Sequence, residues 1–257
     1  MGITYRGNHS DAFGLAVKTN PSLLPDFSLI TQGVPNRDGA YFIKSKYGMR
    51  PIPLEIGFVA NNLSDYLSRF RALAEWLRPD LGEGELVDDN EPDKKYYAVL
   101  SEQSIKRLDN IAKAGQGQLT LICPKPYAYG EKITQTLDQN NSLVTLFASQ
   151  SSPYAMNLSP VDAQPKFTVT FSGAATEYKI THQESGKYIR VIYNFSASDI
   201  LEIDVSKRKI SVNGAVNRTI FDWSGSRWFN LQPGNNNFTI DQVSVAETKI
   251  TYSPRWL

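Results

Sequence analysis

The chain has 257 residues and a mass of 28.8 kDa, enough for one large or two ordinary domains and for at least one substantial core. Hydrophobic residues make up 41% and charged residues 21%, which excludes a disordered chain. The 27 Lys and Arg nearly balance the 26 Asp and Glu, and 15 of each sign fall within residues 1–130, so neither half has the clustered positive charge of a nucleic-acid-binding arm. No apolar run approaches the ~20 residues of a membrane-spanning helix, and the start Met1-Gly2-Ile3-Thr4-Tyr5-Arg6 lacks an apolar signal core; synthesis and folding in a cytoplasm are expected.

Taken in chain order, β-branched and aromatic residues recur in short stretches bounded by Gly, Pro, Asn and Asp, predicting strands at 13–17, 40–46 and 50–59. The last is apolar along most of its length, more than one buried face requires. A helix follows over 63–77: Leu63, Tyr66, Leu67, Phe70, Leu73, Ala74 and Leu77 keep the three-four spacing of one face, Asn62 or Ser64 can cap the start, and Pro79 stops it. Glu83, Glu85, Asp88, Asp89, Glu91 and Asp93 crowd a short stretch with Lys94 and Lys95 beside it. A solvated loop is the expected reading, with a hard-cation site as the alternative.

Strands are then predicted at 96–101, 105–112 and 118–122, making the first half α+β with one helix. Pro124 and Pro126 remove ladder donors, so the segment 124–130 is expected outside any sheet, as a stiff spacer near a domain boundary, with the polar run 138–142 soon after. Beyond it the pattern is all-β, with strands at 166–172, 177–181, 188–194, 200–204, 209–212, 215–220, 237–242 and 249–252, suggesting a two-sheet sandwich. Asn213-Gly214 signals a type I′ hairpin.

Material for catalysis is sparse. His9 and His182 fall in different predicted domains and are expected at surfaces or turns; Cys123 is alone and reads as a small buried side chain. There is no Gly-x-Ser-x-Gly elbow, phosphate loop or His-Glu-x-x-His, so the chain is expected not to be an enzyme and to hold no cofactor, metal or catalytic residue. Trp223, Trp228, Tyr252 and Trp256 give the second domain an aromatic-rich end that suits either core packing or a platform for sugar rings. Composition alone leaves a structural subunit and a carbohydrate-binding module open.

The end of the chain carries the most specific pattern: Lys209-Ile210-Ser211-Val212-Asn213-Gly214, then Leu231-Gln232-Pro233-Gly234-Asn235-Asn236, then Tyr252-Ser253-Pro254-Arg255-Trp256. An Asn-Gly hairpin, a Leu-x-Pro-Gly-x-Asn turn and an aromatic-x-x-Arg-Trp close in this order resemble the distal tail proteins of siphophages. Gly39-Ala40-Tyr41, the strand 52–58 and Ala74-Glu75-Trp76-Leu77 extend the resemblance over nearly the whole chain. It implies a mainly β, two-domain protein: an α+β ring-forming domain at 1–130, a β-sandwich or barrel with one helix, and a galectin-like β-sandwich at 131–257.

The implied function is a structural hub of the tail tip or baseplate within the virion. A homo-hexameric ring, its contacts made by residues 1 to about 130, would join the tail tube protein to the tail-associated fibre or lysin protein. The tape measure and receptor-binding proteins are further partners, and DNA would pass through the channel without specific binding. No membrane partner is implied. The galectin run His-x-Asn-x-Arg is missing, since Gln183-Glu184-Ser185-Gly186 follows His182. The aromatic residues are therefore expected to be packing residues, with a carbohydrate-binding module for host-wall attachment as the alternative.

Overall fold

A computed structural model describes residues 2–107, 114–137, 154–241 and 244–257. The chain divides into two compact units, Met1–Tyr129 with Leu257, and Gly130–Trp256. The architecture is mainly β, with one α-helix among the described residues.

In the first unit the strands are β1 (Ile3–Tyr5), β2 (Asn8–His9), β3 (Leu15–Thr19), β4 (Phe27–Gly33), β5 (Ala40–Tyr47), β6 (Arg50–Val59), β7 (Gly84–Asp88), β8 (Glu91–Arg107), β9 (Ala114–Cys123) and β10 (Ala128–Tyr129). The main antiparallel sheet runs β2-β1-β7-β8-β9-β6-β3, and β10 adds to β8 through Tyr129 and Lys95. Strands β4 and β5 form a separate two-stranded sheet.

Helix α1 (Leu63–Trp76) starts where Asn62 Oδ1 accepts the Asp65 amide at 2.9 Å and Asp65 Oδ2 accepts the Asn61 amide at 2.9 Å, a reciprocal cap. That bond from Asn61, and then Arg69, hold the Asp65 carboxyl below its ordinary range. Tyr66, Leu73 and Trp76 face the core, where the Trp76 indole donates to the Tyr5 carbonyl at 2.8 Å and stacks on Phe13.

Several expectations are corrected here. The predicted helix face is only partly buried: Leu63, Leu67, Phe70 and Ala74 lie exposed, a second apolar stripe at helical spacing. Strand β6 does not bury more than one face. It alternates strictly, with Ile52, Leu54, Ile56 and Phe58 inward and Pro53, Glu55 and Val59 outward. Its prolines are tolerated because β3 ends opposite Leu54, leaving Pro51 and Pro53 with β9 as their one ladder neighbour. The acidic stretch is not a loop but the β7–β8 hairpin. The strands expected at 96–101 and 105–112 are a single strand with an irregularity between Leu100 and Glu102; residues 108–112 lie outside the described residues. A 3-10 turn at Ser10–Phe13 delays the first long strand to Leu15, and Ala128–Tyr129 pair where no sheet was expected. The polar run 138–142 lies outside the described residues.

The second unit holds β11 (Ile133–Leu137), β12 (Tyr154–Asn157), β13 (Lys166–Phe171), β14 (Ala175–His182), β15 (Lys187–Phe195), β16 (Ile200–Asp204), β17 (Lys209–Val212), β18 (Ala215–Val216), β19 (Gly234–Ile240), β20 (Ala246–Tyr252) and β21 (Arg255–Trp256). A six-stranded sheet, β11-β20-β13-β16-β17-β18, and a four-stranded sheet, β12-β19-β14-β15, supply the inward residues of one core. Phe167, Phe171, Tyr178 and Phe238 are fully buried there, each contributing about 2–3 kcal/mol of apolar burial. Tyr178 of one sheet meets Thr248 Oγ1 of the other at 2.9 Å, and burial pushes its phenol well above the ordinary range. The strand expected over 215–220 stops at Val216.

Candidate functional site

The three motifs near the C-terminus are structural ties. Asn213 and Gly214 take φ of +49° and +81°, the pair of left-handed positions a type I′ turn requires, and Asn213 also accepts the Ile200 amide at 2.9 Å. Asn236, the last residue of Leu-x-Pro-Gly-x-Asn, is fully buried. Its amide nitrogen lies 2.9 Å from the Gln232 and Gly234 carbonyls and 3.3 Å from the Ala155 carbonyl, while its oxygen accepts the Gln232 amide at 2.7 Å. At the close, the Tyr252 hydroxyl donates to the Met156 carbonyl at 2.6 Å and the Arg255 guanidinium donates to the Asp162 carbonyl.

His182 is not at a surface or turn: it ends β14 fully buried, stacked on Phe229. The Asn236 amide nitrogen is committed to carbonyls, so its oxygen, 2.9 Å from His182 Nε2, accepts from that nitrogen. Nδ1 lies 2.8 Å from Ser185 Oγ, and Glu184 Oε2 is a second acceptor 3.1 Å from Nε2. Sequence reasoning missed this network because its members lie far apart in the chain. His9 sits at an open edge between Asp11 at 3.3 Å and Asp89 at 3.1 Å. Cys123 is fully buried, and burial pushes its thiol up to about 12. Among the described residues no three His, Cys, Asp or Glu side chains gather as metal ligands would.

Two surfaces remain. In the first unit every residue of β4 and β5 is exposed, and Leu29, Phe42 and Ile43 are 59%, 64% and 56% accessible. An isolated two-stranded ribbon with apolar side chains on both faces has marginal stability in water. The outward face of β6 forms a groove of about 780 Å³ with β3 and the start of β9, floored by Gly57 and Gly115 and edged by Val59, Lys18 and Glu55. Beyond this groove β3 ends the sheet, pairing with β6 alone among the described residues.

In the second unit the aromatic residues divide. Tyr252 is buried, Trp228 is half-buried and stacked on Phe221 at 5.1 Å, and Trp256 lies over Gly130. Trp223 is 67% exposed, contrary to the packing role expected of it.

Residues 13–123 match the phage tail protein RIFT-related domain, and residues 159–256 the C-terminal domain of the siphovirus-type tail component. The distal tail protein of Bacillus phage SPP1 is 27% identical over 130 residues, which span 49% of this chain and 46% of that protein, less than half its length. The chain belongs to the siphophage distal tail proteins. The crystal structure of the SPP1 Dit protein, described as a paradigm of the hub adsorption apparatus in phages infecting Gram-positive bacteria, superposes with a TM-score of 0.83. Identity is 16%, over 100% of this chain and 99% of that one. A chain of the phage p2 baseplate in its activated conformation with strontium gives a TM-score of 0.51 at 9% identity, over 97% of each chain. At these identities the likeness shows the fold.

Proposed function

We propose that the chain is a structural hub of the tail tip or baseplate, built by its first domain, residues 1–130, closing into a homo-hexameric ring, with residues 131–257 forming a separate sandwich. The ring joins the tail tube protein to the tail-associated fibre or lysin protein and leaves an axial channel for DNA; the protein performs no catalysis. The observation that carries this reading is the β4–β5 ribbon. Its apolar residues need a second layer, and a neighbouring copy offers both the groove along β6 and the open edge of β3. The exposed stripe Leu63, Leu67, Phe70 on α1 is a further apolar surface of the kind a ring interface covers. The near-neutral charge suits a channel that must release phosphate rather than retain it.

Light scattering on the full chain tests it. A mass six times the 28.8 kDa chain is expected, reduced to the monomer by Phe42→Asp with Ile43→Asp while circular dichroism stays unchanged. A substituted chain that assembles like the wild type overturns the role given to the ribbon, and a wild-type chain that stays at 28.8 kDa at high concentration overturns the self-assembling ring.

A further inference from the structure

Trp223 is an exposed indole anchored at two points. Its Nε1 donates to the Arg218 carbonyl at 3.3 Å, and its ring meets Phe221 edge-on with centroids 4.7 Å apart. Phe221 in turn lies parallel to Trp228, within 7°, and Trp228 packs on the sandwich core. The segment is also cross-braced. Asp222 Oδ1 accepts the amide and hydroxyl of Ser224, the Asp222 amide donates to the Arg190 carbonyl at 3.1 Å, and the Arg227 amide donates to the Tyr188 carbonyl at 2.8 Å. A rigid aromatic face presents contact area at little entropic cost.

Two clefts meet at Trp228 and Arg208. One, of about 230 Å³, includes Trp223, Lys207 and Arg218; the other, of about 370 Å³, is walled by polar side chains including Gln164, Asn230, Gln232 and Lys187. Arg208 is held at φ +49° in the turn before β17, an uncommon conformation for a non-glycine residue that fixes where its side chain leaves the backbone. Other cations of this domain face carboxylates: Lys166 pairs with Glu202, Lys179 with Asp241 and Arg190 with Glu177. The side chains of Arg208, Arg218 and Lys187 make no ion pair or hydrogen bond among the described residues. Asp162 is the one carboxylate in the two linings.

We propose that these joined clefts bind an anionic saccharide. A sugar ring stacks on Trp223, its phosphate or carboxylate group is held by Arg208 and Arg218, and the hydroxyls of the next residue are met by the amides of Gln164, Asn230 and Gln232. The amides can each donate and accept, which suits vicinal hydroxyls. The guanidinium forks suit phosphate or carboxylate oxygens. A nucleic acid would use the same aromatic face, but the amide-lined cleft and its carboxylate favour hydroxyls over a run of phosphates. This site lies wholly within the second unit and does not depend on the ring.

Calorimetric titration and tryptophan fluorescence of the full chain test it. The probes are a glycerol-phosphate polymer bearing N-acetylglucosamine, an oligogalacturonate, a neutral β-glucan oligosaccharide and a short oligothymidylate. Saturable binding of the phosphate-bearing or uronate probe is expected, with quenched indole emission and affinity falling as salt rises. Arg208→Gln and Trp223→Ala should each weaken it about tenfold, the loss expected of a charge-assisted contact or a stacked ring, without altering thermal unfolding; Trp223→Phe should retain most of it. No saturable binding at about 1 mM of either anionic probe overturns the proposal. Equal binding of the neutral oligosaccharide, tighter binding of oligothymidylate, or indifference to both loss-of-contact substitutions does so too.

Discussion

Replacing Asn236 with alanine tests whether the Leu-x-Pro-Gly-x-Asn turn is a load-carrying tie of the second unit. The side chain, itself fully buried, closes the exposed 232–236 turn through Gln232 and Gly234 and also reaches Ala155 on β12 and His182 on β14, both of them without access to water. Truncation strands the Gln232 amide and the Ala155 carbonyl and leaves His182 Nε2 with Glu184 alone, at 3.1 Å. Each buried polar group left unpaired costs about 1–3 kcal/mol, so a loss of about 3–5 kcal/mol is expected. Unfolding entropy of roughly 2.1 cal/mol/K per residue gives about 0.27 kcal/mol/K for a unit of this size, and hence a fall of about 10–20 °C in the unfolding midpoint. Tryptophan fluorescence reports it in the full chain, because Trp223, Trp228 and Trp256 all lie in this unit. A shift below about 3 °C would refute the reasoning, for it would mean that water or a relaxed backbone satisfies these groups.

Gly117→Ala places a Cβ 2.2 Å from the Ser104 carbonyl oxygen and 2.6 Å from Ile105 Cα, both backbone, so urea unfolding should show a loss of about 3 kcal/mol from the first unit. Cys123 should resist Ellman's reagent at about pH 8 in the native protein and react fully in guanidinium, since the thiol is buried and its pKa raised; prompt native reaction contradicts that burial. Trp76→Phe should cost about 1–3 kcal/mol by orphaning the Tyr5 carbonyl, measured by the denaturant midpoint. The Glu202 carboxyl is held below its ordinary range chiefly by the hydrogen bond from Lys166, so its contribution is present above the unfolded-state value and is lost as pH falls through the lower folded one. Lys166→Met should therefore flatten the decline in stability on acidification below about pH 4, as followed by urea titration.

Strands were legible where one face is buried and the other wet, as in β13 and β14, because burial enforces period-two patterning. Strand β4 left no such mark: neither face is covered within the chain, so Phe27-Ser28-Leu29-Ile30-Thr31-Gln32-Gly33 has no inward set to alternate. Strand β7 was hidden by its acidic residues, which stay wet at the hairpin while Leu86 points inward. The helix was read correctly from its spacing, but spacing alone does not say which of two apolar stripes meets the core. Of the ligand-facing surface, the aromatic end was visible and its division was not. Whether a tryptophan is a packing residue or a platform depends on Phe221 and Arg218 beside it, and local composition does not encode that.

Strand β8, 17 residues long, serves two ladders in succession: its first half carries β7 and β10, and its second half carries β9. One covalent spine therefore crosses most of the sheet. Opening the β7 side cannot proceed far without loosening the segment that holds β9, and β9 in turn is the neighbour of β6 along its whole length. The sheet is therefore expected to open as one cooperative unit, and native-state hydrogen exchange should give the amides of β7 and β9 the same opening free energy, not a stable centre with independently fraying margins.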